Sequence, residues 1–390
     1  MIKRQITEKL VQLTEKFPVV TVTGPRQSGK TTLVKYIFKN YDYVSLENFD
    51  VRLRAEHDPK SFLNNFSGKV IIDEIQHVPA LLSYIQTKVD KEKTKGMYVL
   101  TGSQNLLMSE KISQSLSGRT ALIKLLPLSI FELRNSGYFN IHSQSYEEII
   151  FKGSYPAVYN DNINPVDFYP AYLETYIQRD VRNIQNIRNL RSFTSFVKLC
   201  AGRTGQILDL SSLANDAGIS VNTAKGWISL LEAAYIIFLL PPYYKNFNKR
   251  LIKSPKVYFY DTGLASFLLG IENEKQLITH YLKGSLFENH IIMEVVKQRY
   301  NTGKQANVYY WRDNKKNEID CIIDGVIPHA IEIKSSQTFT KDFLKMKNYW
   351  MKTTDLPENT FSLVYGGDDS FNFLGTEVIS WKTLLQKEST

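Results

Sequence analysis

The chain predicts a multidomain α/β protein built on a parallel-sheet core, and three observations carry that prediction. An apolar, β-rich run (Val19, Val20, Val22) leads into a glycine-bounded turn and then a helix-forming run with Leu33, Val34, Ile37 and Phe38. Strand, tight turn and helix in that order form the unit from which parallel sheets are assembled. Two more buried-strand patterns follow, KVIIDEIQ at 69–76 and MYVLTGSQ at 97–104. Finally, 390 residues exceed what one core usually organises, so two or three domains are expected.

Composition narrows the class. A hydrophobic content of 43% with 22% charged residues is that of a soluble globular protein. Polar residues interrupt every apolar run before it could span a bilayer, and MIKRQITEKL lacks an apolar signal core, so no membrane partner and a cytoplasmic location are expected. Cys200 and Cys321 lie far apart and read as reduced and buried. The net charge of +9 comes from the first 282 residues, because residues 283–390 hold 14 basic against 14 acidic side chains. Such a balance permits nucleic-acid binding without requiring it.

Residues 1–17 read as an amphipathic helix, with Ile2, Ile6, Leu10 and Leu13 at helical spacing. The turn that follows, Gly24-Pro25-Arg26-Gln27-Ser28-Gly29-Lys30-Thr31-Thr32, has the spacing of a P-loop between a strand and a helix. Its glycines let backbone N–H groups face phosphate oxygens, Lys30 reaches the β/γ-phosphates of ATP, and Thr31 coordinates Mg²⁺. About 40 residues on, the run VIIDE ends in two carboxylates. Asp73 is expected to hold Mg²⁺ and Glu74 to polarise the attacking water. At the tip of the next strand, one of Thr101, Ser103 and Gln104 is expected to contact the γ-phosphate or that water. Arg119, in SLSGRT, reads as a sensor or as an arginine finger reaching a neighbouring subunit's nucleotide, which would require an oligomer. The strand ALIKLLPL closes a sheet of about five parallel strands.

The runs GPRQSGKTT, VIIDEIQ, LTGSQ, SLSGR and LPLSIFEL together resemble AAA+-type ATPases of bacteria and archaea that carry a C-terminal domain of unknown function. GSYPAVY, ETYIQRDV, TAKGWISLLEAAYII, SPKVYFYDTGLA and AIEIKS extend the resemblance over nearly the whole chain. It implies an ATPase core at 1–128 and a helical lid at 129–190. In the lid, the turn Gly153–Pro156 is similar to one that contacts the base in related signal-transduction ATPases, and Arg179 is a second sensor or a salt-bridge partner of Glu174 or Asp180.

Residues 191–262 have helix-turn-helix spacing: a short helix, a turn at Gly218, and a longer helix opened by Ser220. Asn222, Thr223 and Lys225 fall at the exposed start of the second helix, where base contacts are made. The stretch 244–260 adds five basic residues interleaved with aromatics, as a basic wing would. A winged-helix module of this kind fits DNA or a protein partner.

In residues 263–390, Glu288 lies on an amphipathic helix, Asp320 precedes an Asp324-Gly325 turn, and Glu332-Ile333-Lys334 follows on the next strand. Strand alternation puts Glu332 and Lys334 on one face. This order resembles the PD-(D/E)xK nuclease core and implies a restriction-endonuclease-like α/β domain. In that chemistry Asp320, Glu332 and Glu288 hold a divalent metal (Mg²⁺ or Mn²⁺), and Lys334 orients or deprotonates the attacking water. Carboxylates buried on the sheet would be costly unless a metal neutralised them. Two functions follow: an ATPase coupled to metal-dependent DNA cleavage, or an ATP-dependent switch binding proteins through an inactive nuclease-like domain.

Overall fold

The computed structural model describes residues 2–103, 115–140, 142–177, 190–243, 254–354 and 356–384. Gln104, Arg179 and residues 244–253 of the basic run at 244–260 lie outside the described residues. The first third of the chain reads α1 (Thr7–Lys16), β1 (Val19–Thr23), α2 (Lys30–Ile37), β2 (Asp42–Ser45), α3 (Phe49–His57) and α4 (Pro59–Asn64). It continues with β3 (Val70–Asp73), α5 (Leu81–Glu92), β4 (Tyr98–Gly102) and β5 (Thr120–Lys124). The five strands form one sheet in the order β2-β3-β4-β1-β5, and every pairing is parallel.

Strands β1, β3 and β4 are buried at every position, which is why they read as unbroken apolar runs rather than alternating ones. Ile6, Leu10, Leu33 and Val34 of the segment around α1 and of α2 cover one face, against Val20, Val22 and Val99. Leu81, Leu82 and Ile85 of α5 cover the other, against Ile72 and Leu100.

The stretch expected to be helical is broken into short pieces: α6 (Ile130–Asn135), α7 (Tyr146–Lys152), α8 (Pro156–Asn160) and α9 (Pro165–Tyr172). Ser129 and Glu132 close a reciprocal capping box at the start of α6. After α10 (Leu190–Ala201), α11 (Leu210–Ala217) ends at Gly218, whose φ of 65° makes the left-handed cap, and α12 (Val221–Ala233) begins on the Ser220 side chain. Trp227, Leu230 and Leu231 of α12 are buried, while Asn222 and Lys225 are exposed. A two-stranded antiparallel sheet, β6 (Ile237–Leu240) and β7 (Lys256–Phe259), follows.

Beyond α13 (Thr262–Leu268) and α14 (Glu274–Thr279), the long α15 (Lys283–Asn301) leads into β8 (Val308–Arg312), β9 (Glu318–Ile323) and β10 (His329–Lys334). Then come α16 (Lys345–Thr354), β11 (Phe361–Tyr365), β12 (Phe371–Phe373) and β13 (Thr376–Ser380). The sheet order is β12-β13-β11-β10-β9-β8. β8, β9 and β10 pair antiparallel, and β10 pairs parallel to β11 across the α16 crossover. The free Cys200 and Cys321 are both buried. Among the described residues no helix is long and apolar enough to cross a membrane.

The later segments share one hydrophobic core that runs from Ile2 through α6–α15 to Trp381. Asp261, buried at the start of α13, stitches it. It accepts from Leu264 N at 2.9 Å, from Ser154 N at 2.7 Å and from the Tyr169 hydroxyl at 2.7 Å. A Cβ on Gly153 would lie 1.9 Å from that hydroxyl, so only glycine fits there. Burial pushes the Asp261 carboxyl above its usual pKa, and the three donors oppose the shift. Replacing Asp261 with Ala strands those donors and should lower the unfolding free energy by roughly 2–4 kcal/mol. Asp261→Asn, which retains one acceptor, should lower it by less. Equal urea midpoints for wild type and Asp261→Ala would refute this role.

Candidate functional site

The glycine-rich turn closes tightly because its ends have no room for side chains. A Cβ on Gly24 (φ 149°) would stand 2.1 Å from the Leu125 carbonyl oxygen, and Gly29 starts α2 in the left-handed region at φ 90°. The Lys30 ammonium is buried inside the loop, donating to Gly24 O at 3.0 Å and Pro25 O at 2.7 Å. The buried Ser28 hydroxyl has no hydrogen-bond partner among the described residues. Arg26 forms an ion pair with Glu47 at 3.6 Å, and Thr32 points to solvent.

Three hydroxyls converge on Asp73 at the end of β3. Thr31 donates to its two carboxylate oxygens at 3.0 and 3.1 Å, Tyr43 donates at 2.9 Å, and Thr101 donates to Oδ1. Burial, with Asp73 beside it, pushes the Tyr43 phenol up to about 12, so it stays a donor. Glu74 takes a left-handed turn (φ 56°) that presents its side chain to Ser103, which donates at 3.2 Å, and to Gln76. Its backbone N–H donates to Thr101 Oγ1 at 3.2 Å. Of the three strand-tip candidates, Thr101 is thus bound to Asp73 and Ser103 to Glu74. All these groups gather at the carboxyl ends of the parallel strands, where ligands of such sheets bind.

This donor set fits a nucleotide phosphate with Mg²⁺. A hydroxyl and a carboxylate from the protein are what the ion needs when phosphate oxygens and water complete its octahedron. Tyr43 and Gln76 carry no sequence-level assignment of their own: Tyr43 lies on β2 outside any motif, and Gln76 ends the run VIIDEIQ, whose two carboxylates alone mark the site.

Arg119 is not placed to sense its own chain's nucleotide. For that it would have to reach the P-loop, yet it precedes β5 at the opposite, amino-terminal end of the strands. Val19 N donates to its carbonyl at 3.2 Å, one strand length of about 16 Å from the loop. Its guanidinium is 32% exposed and binds Asp90 through Nε at 2.5 Å and Nη2 at 2.8 Å.

Turn Gly153–Pro156 lies against the P-loop, with Pro156 Cγ 3.9 Å from where a Gly29 Cβ would be.

The second cluster lies between β7, α15 and the C-terminal sheet. Lys256 of β7 is buried and donates to Glu288 at 3.1 Å and to Glu318 at 2.5 Å, and Tyr258 also donates to Glu288. Lys334 donates to Glu332 at 2.6 Å and lies 3.6 Å from Asp320, which also accepts from Ile333 N at 2.8 Å. Burial pushes the carboxyls of Glu288 and Glu332 upward, and Lys256 and Lys334 oppose that shift. Glu332 Oε2 is buried with no hydrogen-bond partner. Two ammonium groups, Lys256 and Lys334, thus offset part of the charge of these four carboxylates, where a metal was expected to neutralise it. Among the described residues no three acidic, histidine or cysteine side chains converge in a geometry that would hold a metal ion. Glu288 is committed to Lys256 and Tyr258 and does not fit as a ligand, whereas Asp320 and Glu332 remain a fitting pair.

Residues 16–134 match the family described as AAA domain. The match supports an ATP-binding, AAA-type ATPase. Residues 143–275 and 283–384 match two families described as domains of unknown function, DUF8612 and DUF4143. The uncharacterized protein Rv2008c of Mycobacterium tuberculosis is 25% identical over 380 residues, covering 96% of this chain and 82% of that protein. The uncharacterized protein MJ1544 of Methanocaldococcus jannaschii is 23% identical, covering 93% and 84%. Among solved structures, the Walker-type ATPase PABY2304 of Pyrococcus abyssi is 13% identical with a TM-score of 0.44, covering 69% of this chain and 96% of that one.

Removing the Lys30 ammonium should weaken ATP binding by about 10- to 100-fold, the value of one charged hydrogen bond. Arg119→Ala should leave the ATP affinity of the isolated chain unchanged. Titration with a fluorescent ATP analogue measures both, and a loss in Arg119→Ala would return that residue to the site.

Proposed function

We propose that this chain is a Mg²⁺-dependent ATPase that works as a switch, its nucleotide state setting the position of its own C-terminal unit. The carrying observation is the convergence of Lys30, Thr31, Asp73 and Glu74 at one sheet edge, with helix α15 bonded directly behind it. When bound, Mg²⁺ draws charge from the phosphate oxygens and lowers the barrier to phosphoryl transfer. Lys30 exchanges the carbonyls of Gly24 and Pro25 for phosphate oxygens. Thr31 and Asp73 hold the ion, while Thr101 and Tyr43 fix the Asp73 carboxylate. Glu74, steadied by Ser103 and Gln76, accepts a hydrogen bond from the attacking water and aligns it.

The output passes through α15. Glu294 on that helix accepts from Ile130 N at 2.8 Å, and Lys297 donates to Leu128 O and Ser154 Oγ, each at 2.9 Å. Residues 128–130 leave β5 beside the P-loop, and Ser154 belongs to the turn against Gly29. In this reading residues 129–190 act as the lid, and α11–α12 with β6–β7 serve as a winged-helix contact module. The exposed Asn222 and Lys225 offer a hydrogen-bonding amide and a cation to DNA; such binding must weaken steeply with salt.

A second reading, metal-dependent DNA cleavage, is favoured by one observation: the partnerless, buried Oε2 of Glu332 next to Asp320 and Lys334. Asp320 and Glu332 would hold Mg²⁺ or Mn²⁺ there, and Lys334 would orient the water. Plasmid nicking that depends on metal and disappears in Lys334→Ala supports cleavage; no nicking with or without ATP leaves the switch alone.

For the ATPase itself, Glu74→Gln should bind ATP and turn it over at least 100-fold more slowly, as expected for loss of a positioned base. Phosphate release at the wild-type rate would remove Glu74 from its role.

A further inference from the structure

The segment before α1 contributes a group that no motif marks. Arg4 is 5% exposed, and each of its three guanidinium nitrogens donates to a different partner. Nη1 donates to Ser28 O at 2.8 Å, Nη2 to Leu126 O at 2.6 Å, and Nε to Glu132 Oε1 at 3.0 Å. Nη1 also stands 3.8 Å from where a Cβ on Gly29 would be.

We infer that Arg4 is a positioning residue for phosphate binding, holding the P-loop peptide Ser28–Gly29 with its N–H turned toward the nucleotide. Among the described residues no peptide bond is cis, so the C=O and N–H of this unit point in opposite directions. Drawing Ser28 O onto the buried guanidinium turns the Gly29 N–H away from Arg4, toward the open side of the loop. Gly29 needs such a clamp, because a glycine at φ 90° has little intrinsic preference for one peptide orientation. The second arm fixes the loop's other end. Leu126 follows Leu125, whose carbonyl backs Gly24 and whose N–H donates to Thr23 O at 2.8 Å. The third arm balances charge. Glu132 is 1% exposed and also accepts from Gln5 N at 2.8 Å and Ser129 N at 3.0 Å, so both of its carboxylate oxygens are bonded.

This inference rests on the ATP-site reading, and its consequence is confined to phosphate. Fluorescent ADP, ATP and adenosine analogues are titrated onto wild type, Arg4→Met and Arg4→Lys, together with steady-state ATPase rates. Arg4→Met should bind ADP and ATP about tenfold more weakly and adenosine unchanged, raising KM with little change in kcat. Arg4→Lys, a point donor that reaches fewer carbonyls, should fall between. Unchanged ADP affinity in Arg4→Met, or equal losses for ADP and adenosine, would overturn the inference. Should Arg4→Met not fold, Arg4→Lys carries the same two criteria. A wild-type chain that binds neither ADP nor ATP would instead refute the ATP site itself.

Discussion

A lysine with almost no access to water holds the two halves of this protein together. Lys297 is 3% exposed and its partner Glu294 is 1% exposed, both on α15. Burying such a pair costs several kcal/mol per ion unless every donor and acceptor is satisfied. Here the ammonium has three acceptors and Glu294 gains a backbone donor, and apart from the pair itself every partner comes from residues 128–130 or Ser154. The pair is therefore tolerable only when α15 is docked behind the nucleotide sheet. The C-terminal unit is clasped rather than tethered.

Rigidity then carries the clasp outward. Glu288 sits six residues before Glu294 on the same uninterrupted helix, a rise of about 9 Å. A displacement of 128–130 has two outcomes: α15 moves with it, or the buried pair breaks at a cost larger than most ligand-induced shifts supply. The first is cheaper, so under the proposed switch the acidic cluster would follow the nucleotide edge. Arg4 sits on the near side of the same element. It grips Ser28 and Leu126, and its partner Glu132 caps the helix whose first turn Glu294 touches.

The readable parts of this chain were those in which local chemistry dictates local geometry. Gly24, Gly29, Lys30 and Thr31 announce a phosphate loop because only those residue types make that turn. The apolar runs ending in Asp73 and Gly102 announce buried parallel strands because both their faces are covered. Gly218 and Ser220 likewise mark the end of α11 and the start of α12. What could not be read depends on distant partners. Nothing near Arg4 shows that its guanidinium will close on Ser28 and Glu132, which are 24 and 128 residues away. Arg119 meets the same limit: its composition suits a sensor of its own chain's nucleotide or a finger toward a neighbour's, and only strand direction shows that it stands at the end of the sheet away from its own P-loop.

The acidic cluster shows the same limit in charge rather than geometry. Glu288, Asp320 and Glu332 in order invite a metal because burying three carboxylates alone is prohibitive. That argument assumes that no cation arrives from elsewhere in the chain. Lys256 arrives from β7, a strand of the preceding module, and takes Glu288 and Glu318; Lys334 takes Glu332 and Asp320. With part of its negative charge countered by two ammonium groups, the cluster needs less from a metal, and Lys256 joins the module holding α12 to α15 and the C-terminal sheet. The electrostatics that would build a nuclease site thus also build a joint, and among the described residues the buried Oε2 of Glu332 is an acceptor that this joint leaves unused.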